Sequence, residues 1–170
     1  LVTLDEPVTF ENLHLFVPDI YSHHESHLLS LPPPRVLKSH EVFSPAYPRV
    51  IYVVRDPRDV VVSFFHYQRK FRQIDDALSL DDFTERFIDG RVGAFGSWGE
   101  HIGCWVGARE ADPRFLLVRY EDLSADPAAQ LRRIVGFMGV GLGVAFKENR
   151  AAALDGQARA AIENVVFSDS

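Results

Sequence analysis

The sequence lacks several features that would assign the protein to a particular class. No apolar run approaches the roughly 20 residues that a membrane-spanning helix needs. The 170 residues contain one cysteine, Cys104, which excludes an internal disulfide and favours a reducing compartment, so we expect a cytoplasmic protein. No signal peptide, internal repeat or low-complexity segment is recognisable. The first residue is leucine rather than methionine, and we expect the chain to be part of a longer polypeptide.

Basic residues are outnumbered by acidic ones, and the net charge is −6 at pH 7. This balance argues against nucleic acid or an anionic membrane as a partner, so any anion site must be a local basic focus. Hydrophobic residues make up 46% and charged residues 25%, which is an ordinary globular mixture. The length suits one hydrophobic core, and we predict that residues 1–170 form a single, partial domain.

The segment Arg49 to Arg55 is nearly continuous apolar and β-branched, which is typical of a strand in a parallel sheet that is covered on both faces. Phe115 to Tyr120 is predicted to be another buried strand. Val36 and Leu37 form a shorter predicted strand. Strands alternate with predicted helices, which indicates an α/β fold with a mainly parallel sheet. The predicted helices cover residues 57–72, 79–88, 96–110, 125–139 and 155–166.

An anion site is suggested where the strand at Arg55 meets a helix. Asp56 is a good N-cap and Pro57 a good first helical residue, and such a helix end presents free N–H groups and a positive dipole. Ser63 lies roughly 10 Å further along the helix axis. Arg55 and Ser63 therefore make a candidate phosphate site. A surface arginine with an unrelated helix-interior serine is the alternative.

Lys38 and His40 close the stretch RVLKSH, two residues apart. In an extended chain both side chains point to the same side. A lysine there can hold an anionic group, and a histidine can take a proton near neutral pH. A solvated strand end carrying two ordinary polar residues remains the alternative.

Three histidines, His23, His24 and His27, resemble a metal site at first sight. The zinc-protease pattern needs glutamate directly after its first histidine and another histidine three residues later, and here the spacing from His24 is one residue too short. We interpret the segment as a polar surface or substrate-side loop and expect no metal. Tyr120, at another strand end, could meet a ligand base, although a buried hydrogen-bonded tyrosine is the ordinary interpretation.

Four segments together resemble the cytosolic-type sulfotransferase family, which uses 3′-phosphoadenosine 5′-phosphosulfate as its donor. They are RVLKSH, VIYVVRDPRDVVVSFFHY, GSW at Gly96 to Trp98, and LLVRYEDLSADP. The similarity covers roughly residues 7–140, and both order and spacing match. It implies a P-loop-like, three-layer α/β fold, with a central, mainly parallel sheet flanked by helices.

The resemblance also implies a reaction, in which a sulfuryl group moves to a hydroxyl of a small-molecule acceptor without a metal. In that reaction His40 is the general base for the acceptor hydroxyl, and Lys38 stabilises charge on the sulfonate oxygens. No nucleic acid or membrane partner is expected, and a homodimer is left open.

Donor binding is assigned by the same resemblance. Arg55 and Ser63 are expected to hold the 3′-phosphate, and Tyr120 to contact the adenine. Ser168, in the stretch FSDS, matches a further family position at the adenine.

Two family elements are missing from the sequence. It contains neither the glycine-containing phosphosulfate loop with its lysine nor the C-terminal Arg-Lys-Gly segment. We therefore expect this chain alone to be inactive and to bind nucleotide weakly. One alternative is a non-catalytic or truncated sulfotransferase-like domain. Another is a different nucleotide-binding P-loop-like protein such as a kinase, which would need a G-x-x-x-x-G-K-[ST] run that is absent here.

Overall fold

The computed structural model describes residues 9, 11–31 and 35–139. Its contacts divide the chain into two compact units, an N-terminal unit, Leu1–Glu41, and a C-terminal unit, Val42–Ser170. The helix predicted at 155–166 and the candidate Ser168 lie outside the described residues. In the described ranges, no helix is both long enough and apolar enough to cross a membrane.

Among its described residues, the N-terminal unit contains a 3₁₀ turn at Leu13–Leu15 and helix α1, Glu25–Ser30. The prediction of a strand at Val36 and Leu37 is wrong, since neither residue lies in a strand. An isolated parallel bridge joins Asp19 to the next residue, Lys38. The N–H of Lys38 donates to Pro18 (3.0 Å), and its carbonyl accepts from Ile20 (3.1 Å). In this stretch the backbone pairing is confined to Lys38, and the side chains of Val36 and Leu37 are exposed.

The C-terminal unit contains two strands and five helices among its described residues. They are β1 (Val50–Val54), α2 (Pro57–Lys70), α3 (Leu80–Ile88), α4 (Trp98–Arg109), β2 (Phe115–Arg119), α5 (Tyr120–Ala125) and α6 (Pro127–Met138). β1 and β2 are parallel neighbours, in a register that pairs Val50 with Phe115 and Val54 with Arg119. Three helices connect them, and this is the alternation that the sequence predicted.

The capping residues of the sequence mark where the helices begin and end. Asp56, Ser79 and Asp126 each accept a hydrogen bond from a backbone N–H in the first turn that follows. Ser97 and Glu100 form a reciprocal capping box at the start of α4. Gly139 ends α6 in the left-handed conformation, with φ 69°, which a residue without a Cβ adopts at no steric cost.

A buried cluster joins α2 to α3 through Val61, Phe64, Phe65 and Phe83. The core stripe predicted for α2 (Val60, Phe64, Tyr67, Phe71) is correct only in part. Phe64 belongs to the buried cluster and Tyr67 packs against it, whereas Phe71 is 55% exposed. The buried face is rotated because α3 covers the side of α2 that bears Val61 and Phe65, a tertiary contact that the pattern of α2 alone does not contain.

Phe83→Ala should lower the free energy of unfolding by about 3–5 kcal/mol, since Phe83 is fully buried between the two helices and its loss leaves a cavity. Chemical denaturation of the full-length protein measures the change. Ile88→Ala, on an exposed face of the same helix, is the matched control and should change stability by at most about 0.5 kcal/mol. Similar losses for the two variants would contradict this packing.

Helices lie on both faces of the strand pair. On one face Ile51 packs with the buried Leu116 and Val118, against α5 and α6. On the other face the Tyr52 ring lies tilted against the Trp105 ring of α4, at 6.0 Å between ring centroids. The prediction that β1 is buried on both faces is wrong at Val53, which is 44% exposed.

Candidate functional site

The carboxyl ends of β1 and β2 meet at one edge of the sheet. Since the last register pair is Val54 with Arg119, the next residues, Arg55 and Tyr120, follow side by side. The Arg55 guanidinium carbon lies 4.6 Å from the centroid of the Tyr120 ring, and the arginine side chain is only 15% exposed. The Arg55 side chain thus lies against the Tyr120 ring and is mostly shielded from solvent.

Arg55 also reaches α2. Its Nη2 lies 3.6 Å from Oδ2 of Asp59, a more exposed carboxylate one helical turn after the N-cap. Ser63 is partly buried and lies four residues after Asp59, so both residues lie on the same face of α2. The arginine therefore extends along the helix face that carries Ser63.

The N-terminus of α2 differs from the prediction of free N–H groups. Asp56 Oδ1 accepts from the N–H of Arg58 (2.9 Å), and the carbonyl of Asp56 accepts from Asp59 and Val60 (both 3.0 Å). The hydrogen bond from the Arg58 side chain lowers the pKa of Asp56 to about 2. The helix end is thus closed by its own cap, so the Arg55 side chain, rather than free N–H groups, is the candidate anion-binding group here.

Sequence reasoning missed Glu121, which connects the two strand ends. Its Oε1 accepts from the backbone N–H of Asp56 (2.7 Å), the residue after Arg55, and its Oε2 lies 3.7 Å from Nε of Arg119. The available signal was its position directly after Tyr120, at a strand end. The strand prediction extended to Tyr120, whereas the structure begins α5 there.

The N-terminal unit holds the other two candidates, Lys38 and His40. Lys38 Nζ lies 3.3 Å from Oδ2 of Asp19, and the two side chains are only 19% and 16% exposed. His40 is partly buried. Burial raises the pKa of Tyr21, although hydrogen bonds to the Ser39 side chain and the His40 backbone act in the opposite direction. The lysine and the histidine thus lie in a structured polar segment.

The three neighbouring histidines, His23, His24 and His27, make local contacts at the start of α1. His24 caps α1 by accepting from the N–H of Ser26 (3.3 Å), and the rings of His23 and His27 stack 5.2 Å apart. His23 Nδ1 lies 3.1 Å from the carbonyl oxygen of Asp19. Within the described ranges, no three potential metal ligands come together.

The helices that connect the parallel strands β1 and β2 place this chain among the α/β proteins. The chain belongs to the sulfotransferase family: the family described as "Sulfotransferase domain" matches residues 3–168.

Curated relatives agree with this assignment. Human sulfotransferase 2B1 is 40% identical over 117 residues, which cover 65% of this chain and 32% of the relative. Mouse sulfotransferase 2B1 is 39% identical over 123 residues, 68% of this chain and 36% of the relative. Human sulfotransferase 1C2 is 32% identical over 117 residues, which cover 65% of this chain and 39% of the relative. The chain thus spans roughly a third of the length of these relatives.

Solved structures show the same fold. Mouse sulfotransferase SULT7A1 complexed with PAP aligns with a TM-score of 0.64 and 27% identity, covering 79% of this chain and 48% of that one. Retinol dehydratase in complex with androsterone and inactive cofactor PAP aligns with a TM-score of 0.60 and 28% identity. The alignment covers 82% of this chain and 39% of that one. The P-loop-like α/β fold predicted from the sequence is confirmed.

Proposed function

We propose that the full-length protein is a sulfotransferase that moves a sulfuryl group from 3′-phosphoadenosine 5′-phosphosulfate to a hydroxyl of a small molecule. The contact between Arg55 and Tyr120, where two parallel strands end, carries the proposal. It joins a group suited to a phosphate and a group suited to an adenine in a chain of the sulfotransferase family. Related structures that contain PAP support the choice of donor.

The donor side of the site fits the nucleotide by its chemistry. A guanidinium gives charge-assisted, bidentate hydrogen bonds to phosphate, and the Ser63 hydroxyl on the adjoining helix face adds a neutral donor. Arg55 is held beside the aspartate carboxylate of Asp59, which the 3′-phosphate would replace as its anionic partner. Tyr120 offers a ring to the adenine. Ser168 remains a proposed adenine contact outside the described residues.

The transfer side consists of His40 and Lys38. The bound donor supplies an activated sulfuryl group. His40 accepts the proton of the acceptor hydroxyl, and the Lys38 ammonium stabilises negative charge on the sulfonate oxygens. The family match runs from residue 3 to residue 168, across the boundary between the two units, which supports assigning both to one sulfotransferase domain.

The acceptor is proposed only by class. Retinol dehydratase structures contain androsterone or retinol, and both of these molecules carry a hydroxyl group. A small alcohol or phenol is therefore the proposed substrate class. The single cysteine and the acidic composition support a cytoplasmic protein without a nucleic-acid or membrane partner.

A non-catalytic sulfotransferase-like protein is the second candidate, because the contact between Arg55 and Tyr120 concerns donor binding and would serve equally a protein that binds the nucleotide without transferring the sulfuryl group. Incubating the full-length protein with the donor and a panel of alcohols and phenols distinguishes the two. Release of adenosine 3′,5′-bisphosphate that depends on the acceptor is the expected result. Nucleotide binding without release would favour the non-catalytic candidate, and adenosine 5′-phosphosulfate, which lacks the 3′-phosphate, is the control donor.

Glu121→Ala should weaken binding of adenosine 3′,5′-bisphosphate by roughly three- to tenfold, less than the loss of a direct contact. Glu121 fixes the backbone beside Arg55 through the N–H of Asp56, and the alanine variant removes that acceptor. Glu121→Gln keeps an acceptor oxygen and should retain most of the affinity. Calorimetric titration of the full-length variants measures this. The control is Asp122→Ala, an exposed neighbour, and an equal loss in that variant would contradict the role of Glu121.

A further inference from the structure

Asp19 and Lys38 are linked through both main chain and side chains. The parallel bridge has backbone hydrogen bonds on either side of Lys38, to Pro18 and from Ile20. The same two residues form an ion pair, with 3.3 Å between Nζ and Oδ2. Both side chains are more than four-fifths buried, so this pair is better shielded from solvent than an ordinary surface salt bridge.

The Asp19 carboxylate is itself held in a defined orientation. Its Oδ1 accepts from the backbone N–H of Tyr21 at 2.8 Å, while Oδ2 faces the ammonium of Lys38. Each oxygen therefore has a separate partner. A carboxylate fixed in this way fixes in turn the position of the lysine head group.

A lysine needs such support if it is to act on a transferring group. Its four-carbon stem is flexible, and ordering it has an entropic cost. An ammonium has three donors, so it can bind Asp19 and serve a second acceptor at the same time. Groups that stabilise a transition state work best when they are already in place before the reaction.

We propose that Asp19 is a positioning residue for Lys38, which it holds through a two-point carboxylate clamp in the orientation needed for sulfuryl transfer. The inference rests on the proposed function, because it takes Lys38 to be the residue that contacts the sulfonate. Asp19 acts through the lysine and does not touch the substrate.

A double-mutant cycle in the full-length protein tests the proposal, with kcat and donor affinity measured separately. Asp19→Asn keeps the size of the side chain and an acceptor for Tyr21 but removes the charge. We expect kcat to fall roughly tenfold and donor affinity to change by less than about twofold, because a misplaced lysine affects the transition state more than ground-state binding. In the Lys38→Met background the same change should have no further effect.

The second variant, Asp19→Glu, keeps the charge but displaces it by one methylene. Its expected loss of kcat is smaller and is again absent in the Lys38→Met background, so the cycle remains informative should Asp19→Asn fail to fold. Glu11→Gln, an exposed acid-to-amide change in the same unit, is the matched control and should leave kcat unchanged. Thermal unfolding of each variant checks the fold.

The outcomes distinguish the inference from the proposed function. An Asp19→Asn effect that persists in the Lys38→Met background, or an unchanged or increased kcat, would overturn the positioning role while leaving the sulfotransferase assignment intact. A wild-type protein without transfer, or a Lys38→Met variant with normal kcat, would instead overturn the proposed role of Lys38, and the inference about Asp19 would fall with it.

Discussion

Replacing His40 by alanine in the full-length protein is expected to lower the rate of sulfuryl transfer by about 10²–10⁴-fold, the usual effect of losing a general base. Donor binding should stay nearly intact, since the imidazole acts on the acceptor hydroxyl. Single-turnover kinetics measure the chemical step, and calorimetric titration with adenosine 3′,5′-bisphosphate measures nucleotide binding.

The matched control for this variant is His14→Ala, which removes an exposed histidine from the same N-terminal unit. It should transfer sulfuryl at the wild-type rate. Near-normal turnover in His40→Ala would remove His40 from the mechanism. A loss of rate that is matched by a loss of nucleotide affinity would show that His40 supports the fold or the donor site.

The second large effect is expected from Arg55→Ala, which should weaken binding of adenosine 3′,5′-bisphosphate by about tenfold or more. Each hydrogen bond from a charged group to the phosphate contributes about 1.5–3 kcal/mol, and the buried guanidinium can form two. Arg55→Lys should restore only part of the affinity, because an ammonium lacks the planar fork. Ser63→Ala should cost less, since it removes one neutral donor.

Adenosine 5′-phosphate, which lacks the 3′-phosphate, provides the ligand control for these three variants. Its affinity should barely change, because the contact that each variant removes is already missing. Arg91→Ala is the protein control: this arginine is 61% exposed, pairs with Asp89, and should affect neither nucleotide. Equal losses for both nucleotides would place Arg55 elsewhere in the site, and no loss for either would contradict its role.

Much of the fold could be predicted from local chemistry. The nearly continuous apolar runs predicted β1 and β2, and the capping residues Asp56, Ser79 and Asp126 predicted where three helices begin. Tertiary packing decided the rest. The buried face of α2 is rotated from the predicted stripe because α3 covers it, which no pattern within α2 records.

The candidate site was predictable where it depends on position along the chain. Arg55 and Tyr120 were identified as residues at strand ends, and the register of a parallel pair brings them together. Partners that depend on the folded chain were missed. Asp19 meets Lys38 only through an irregular bridge, and Glu121 meets Asp56 only because two distant strands pair.

Transfer of a radiolabelled sulfuryl group from the donor to a small alcohol or phenol, catalysed by the full-length protein, tests the central claim most directly. We expect the wild-type protein to move the label to the acceptor hydroxyl and to release adenosine 3′,5′-bisphosphate in equal amount. His40→Ala should bind the donor and leave the label on it. A wild-type protein that binds the donor but leaves the label there with every acceptor would contradict the assignment as a sulfotransferase.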